Sequence, residues 1–138
     1  MEVRVKQTEG VQFQVKARTH ELVSDQPMDN GGNDTGMTPP ELLLSALGSC
    51  AAYYAAEYLR ARKLSESGVK VRVTGEKLKQ PARLGNLVVT ISCPVALTDL
   101  HNQGLLHAVQ HCPIHNTLAS HAMIRVESPA MQPVLQGD

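Results

Sequence analysis

Aromatic side chains are nearly missing from this chain. Among 138 residues there are one phenylalanine, three tyrosines and no tryptophan. A core must therefore come from leucine, valine, alanine and methionine, within a hydrophobic content of 42%. Small aliphatics bury less area per residue, and association with a second copy relieves that deficit. Net charge is missing too: 13 basic residues balance 13 acidic ones, and the basic ones are scattered. That excludes an electrostatic nucleic-acid binder. No apolar run approaches the ~20 residues of a membrane span, so no membrane partner is expected. Met1–Lys6 alternates charge and apolarity, unlike the apolar stretch of a secretory signal. Three cysteines make an odd count without regular spacing, which argues against a secreted disulfide framework. The expectation is a cytoplasmic protein, where thiols are catalytic, sensory or buried.

What is present reads as one domain spanning residues 1–138. Residues 1–24 show the period-2 pattern of strands: Val3 and Val5, then Val11, Phe13 and Val15, alternate with polar neighbours. Residues 25–38 are rich in Asp, Asn and Gly and predict a loop, long enough to suggest a function. Thr38-Pro39-Pro40-Glu41 announces a helix over 39–66: threonine caps, proline suits the first turn, and Glu41 completes a capping box. That helix is apolar nearly all round, which places it at the centre of a structure. Val69, Val71 and Val73 and the run Leu87–Cys93 predict a hairpin over 68–93, with 79–86 as its connecting loop. Two helices follow in 97–120, interrupted at Pro113 because proline lacks an N–H donor. Residues 121–127 predict a closing strand, and 128–138 a tail. The class is α+β, with antiparallel sheet around a central apolar helix.

Two cysteines stand out. Cys50 lies about three turns into the apolar helix, and Cys112 precedes a proline that opens a short helix. A helix N-terminus favours a thiolate. One buried and one activated thiol suggest a two-cysteine redox enzyme. For each, a buried core thiol is the alternative. Cys93 closes an apolar strand and reads as structural. His101, His107, His111, His115 and His121 crowd the second half, but match no standard zinc spacing, so no metal and no other cofactor is expected. His115 or Asn116 could line a site beside Cys112. Tyr53 and Tyr54 read as core and dimer contacts.

Three segments together carry a family likeness: Gly31-Gly32 with Gly36, Pro39 to Cys50, and Cys112-Pro113-Ile114-His115-Asn116-Thr117-Leu118. They resemble the OsmC/Ohr family of osmotically inducible and organic hydroperoxide resistance proteins. The resemblance implies an OsmC-like fold, an intertwined homodimer and two active sites at its interface. It implies a thiol peroxidase in which Cys50 attacks an organic hydroperoxide and Cys112 resolves the product. A dithiol, a lipoyl-protein or a small thiol, would restore the reduced state. The family pairs a glutamate with an arginine at the thiolate. Glu41 stands one position nearer to Cys50 than that pattern asks, and nine helical steps set the two on opposite faces. Glu41 is therefore either that residue or only a cap. Arg18 is the better placed arginine, and Arg4 lies in the same region. The rival reading is a non-catalytic module that holds an apolar ligand or senses redox state.

Overall fold

The computed structural model describes residues 1–128. Nine residues in the expected tail, 129–137, and Asp138 lie outside that range. Strands β1 (Arg4–Glu9), β2 (Gln12–Ala17) and β3 (His20–Ser24) form an antiparallel meander in sequence order. Gly10, at φ +51°, makes the first turn, and Arg18, at φ +56°, the second. The alternating valines do what period 2 predicts, yet Val3 and Val5 remain exposed. Ser24 is the only residue of the three strands that is buried.

The loop that follows is ordered around one carboxylate. Asp25 is only 1% exposed. Its Oδ1 accepts from Gln26 N at 2.8 Å, and its Oδ2 from Asn33 N and Thr35 N, each at 3.1 Å. The Thr35 hydroxyl adds a fourth bond at 2.7 Å. That hydroxyl first, then the backbone donors, hold the Asp25 carboxyl down at a pKa of about 2. Gly32 lies so close to the Gln26 carbonyl and Asp25 that a Cβ there would collide with both. A single turn of 3-10 helix, Met28–Asn30, fills the middle of the loop.

Helix α1 (Pro39–Ala61) starts as the capping signal predicts: Thr38 N and Oγ1 donate to Glu41 Oε2 at 2.8 and 2.9 Å. It ends five residues before the expected boundary. Lys63 takes a left-handed φ of +56°, and Arg62 folds back so that its guanidinium sits 3.7 Å from the centre of the Tyr58 ring. One face of α1 is buried, through Leu47, Ala51, Ala55, Tyr58 and Leu59. These positions recur at three and four residues, the spacing of a single helical stripe. The opposite side is open, with Tyr53 61% exposed. Within one chain, then, the helix is covered on one side only, because the meander does not pack over it.

The cover comes from β4 (Lys70–Lys79) and β5 (Ala82–Ser92), an antiparallel hairpin. Val71 and Val73 on β4 and Leu87, Val89 and Ile91 on β5 point inward, between exposed neighbours. The hairpin corrects the expected loop at 79–86. Both strands run nearly to Gln80 and Pro81, Gly85 pairs with Glu76, and a bulge sets Asn86 and Leu87 opposite Gly75. Turn-forming residues here serve the bulge, where Asn86 takes a φ of +51° and its amide donates to Glu76.

Helix α2 (Asp99–Gln110), capped by the Thr98 hydroxyl, packs Leu105 into the cluster around Ala55, Tyr58 and Leu59. Helix α3 (Pro113–Ala119) follows at once, with Pro113 at its first position. The predicted closing strand at 121–127 is not formed. From Ala122 to Ser128 the chain belongs to no strand. Met123, Ile124 and Val126 are 99%, 87% and 91% exposed. The residues have strand-like composition, but a strand needs a partner edge, and none lies alongside among the described residues.

Candidate active site

The fold brings Cys50 and Cys112 together. Sixty-two positions apart in sequence, they form a disulfide with Cα atoms 6.0 Å apart, inside the range such a bond requires. Cys50 rides on α1, between Leu47 and Ala51, and is half-buried. Cys112 sits at the break between α2 and α3 and is 0% exposed. The break is what Pro113 enforces. It leaves Cys112 as the residue that caps α3, its Sγ accepting from His115 N at 3.5 Å.

A cavity of about 390 Å³ opens between α1, β5, α2 and α3, on the Cys112 side of the disulfide; Cys50 is not part of its lining. Leu47 and Ala51 form one wall, Leu87, Val89 and Ile91 another. Cys112 is part of the lining. Only two lining side chains are polar, Gln110 and His115. Asn116, the other sequence candidate next to Cys112, is not part of it. The chamber can hold an apolar molecule against a redox-active sulfur, with little to bind a charged one.

The other two candidates are placed elsewhere. Glu41 bonds to Thr38 and is exposed. The Thr38 backbone N–H first, then its hydroxyl, hold the Glu41 carboxyl below the usual range. Glu41 does not line the cavity. Arg18 lines a surface hollow with Glu2, Arg4 and Lys16. Cys93 is free and half-buried, and burial pushes its thiol pKa up, the opposite of activation.

Among the described residues no three His, Cys, Asp or Glu side chains converge as a metal site. Two histidine rings are held by hydrogen bonds elsewhere. His101 meets the Tyr58 hydroxyl at 3.2 Å, and His111 bonds the His107 carbonyl at 2.8 Å. Sequence reasoning missed Asp25 as the centre of the long loop. One more Asp among turn residues carries no sign that it is buried.

With this geometry in view, the profile of the family described as OsmC-like protein matches residues 31–127. The chain belongs to the OsmC-like family. A Psychrobacter arcticus 273-4 structure shares 21% identity and a TM-score of 0.75, over 83% of this chain and 85% of that one. An OsmC like protein from Mycoplasma pneumoniae shares 22%, over 87% of each chain, with a TM-score of 0.70. An organic hydroperoxide resistance protein from Elizabethkingia anophelis shares 21%, over 88% of this chain and 90% of that one, at 0.57. At such identities these structures establish the fold alone. No curated protein sequence matches the chain significantly. Among the described residues no helix is long and apolar enough to cross a membrane.

Proposed function

We propose that this protein reduces organic hydroperoxides by a two-thiol mechanism, with Cys50 as the peroxidatic residue and Cys112 as the resolving one. One observation carries the reading: Cys50 is bonded to Cys112, and Cys112 lines an apolar cavity. Cys50 is the more exposed of the pair, so it is the sulfur an incoming peroxide meets. The Cys50 thiolate attacks the distal peroxide oxygen, the O–O bond breaks, and the sulfur becomes a sulfenic acid. The buried Cys112 thiol then attacks that sulfur and expels water, giving the disulfide. A dithiol returns both thiols by exchange.

The substrate's apolar body rests against Leu47, Leu87, Val89 and Leu106. The working unit is a homodimer in the cytoplasm. An unsupported meander, an uncovered face of α1 and the unpaired Met123–Val126 segment favour the dimer, since each exposes surface a second copy would cover. Glu41 acts as the helix cap. Arg18 would join a thiolate only by approaching from the second copy.

The test follows hydroperoxide consumption with a dithiol reductant. Cys50→Ser abolishes it. Cys112→Ser gives one turnover and a trapped sulfenic acid, visible by mass as one added oxygen. Wild-type rates in both variants would replace this reading with a non-catalytic module of the same fold.

A further inference from the structure

Breaking the O–O bond of an alkyl hydroperoxide releases a strongly basic alkoxide. If the alkyl body lies in the cavity, that charge develops against leucine and valine side chains, where it is poorly solvated. It must take a proton as it forms. Two lining side chains are polar, and they are not equivalent. Gln110 is exposed on the last turn of α2, and an amide does not give up a proton near neutral pH. His115 is half-buried and on the same short helix that Cys112 caps. Its backbone N–H already points at the Cys112 sulfur. Its ring makes no hydrogen bond to another described residue, whereas the rings of His101 and His111 are engaged.

We infer that His115 is the general acid that protonates the departing alkoxide, an inference that rests on the peroxidase reading above. The step balances as follows. Cys50 thiolate, hydroperoxide and the His115 imidazolium give Cys50 sulfenic acid, alcohol and neutral imidazole. The sulfur loses two electrons, and the O–O bond gains them. The imidazole regains its proton when the next Cys50 thiol ionises. His115 would thus be a catalytic residue contributed by the turn after Cys112, with Gln110 an exposed part of the lining.

The experiment compares two oxidants in single turnover, reading sulfenic acid formation on Cys50 in a Cys112→Ser background. tert-Butyl hydroperoxide leaves as an alkoxide and needs a proton. A peracid leaves as a carboxylate and does not. His115→Asn is expected to slow the reaction with tert-butyl hydroperoxide about a hundredfold, while the peracid rate stays close to that of the parent. The peracid rate also reports that the variant has folded. Equal slowing with both oxidants, or no slowing with either, overturns the role of His115. A parent protein that reacts with neither overturns the peroxidase reading itself, a failure seen before any change at His115.

Discussion

The two halves of this chain spend their apolar residues differently. From α1 to α3, Leu59 and Leu105 are wholly buried, and Ala55 and Tyr58 join them in one cluster. From β1 to β3, strands of equal regularity leave Val5, Leu22 and Val23 open to water. The first half-molecule has hydrogen-bonded order without a core, and the second has a core and both sulfurs. Regular backbone pairing and burial are separate achievements, and the candidate chemistry sits only where both are met.

This contrast can be broken most forcefully at the disulfide. Closing a loop of 62 residues removes chain entropy worth about 4 kcal/mol from the unfolded state. Reduction should therefore lower the denaturant midpoint of the α1–α3 region by a matching amount, while the exchange of β1–β3 amide protons with solvent changes little. Uniform loosening of both regions would show them to be one cooperative unit.

Leu59→Ala comes next. The side chain is 0% exposed, and truncation should cost about 3 kcal/mol in urea unfolding. Its counterpart Val5→Ala should change stability by less than about 0.5 kcal/mol in dilute protein. Should the second change grow with protein concentration, the meander would be finding its burial in another copy.

Gly104→Ala sharpens the comparison inside the core. A Cβ there would collide with the Tyr58 hydroxyl oxygen and the edge of its ring. The ring cannot easily withdraw, with Arg62 over its face and His101 at its hydroxyl. Overpacking of this kind should lower stability by roughly 1–3 kcal/mol, read by thermal melting.

The mildest probe is acid, acting at the joint between the halves. Asp25 is held at about 2, below its ordinary 3.8. Its contribution to stability is complete above the ordinary value and is lost as pH falls through the lower one. Melting temperature should therefore decline between pH 4 and 2 in the parent. In Asp25→Asn that part of the decline should be missing, and the loop 25–38 should be looser at every pH.

Much of this was legible in the chain itself, and for physical reasons. Period-2 valines marked β1, β2 and β4, the Thr38–Glu41 capping box marked the start of α1, and Cys112-Pro113 marked the break before α3. What failed to show depended on neighbours. Nothing local told Gly85 that it would pair within a strand, or Asn86 that it would sit in a bulge. The end of α1 falls where Lys63 takes a left-handed conformation, which its residue type does not announce. The segment 121–127 has the residues of a strand and no edge to join. At the site, the sulfur pair was readable from motif. The polar lining was not: His115 was one of five clustered histidines, and only the packing of α3 against α1 distinguishes it.

The full enclosure of one sulfur bears on how the thiols would be counted at the bench. Charged reagents too large for the apolar cavity would find Cys50 and Cys93 ahead of Cys112 in reduced but folded protein. Such a titration would stop short of the three that the chain carries until denaturant is added. A stoichiometry near two would then be a sign of intact architecture rather than of partial oxidation.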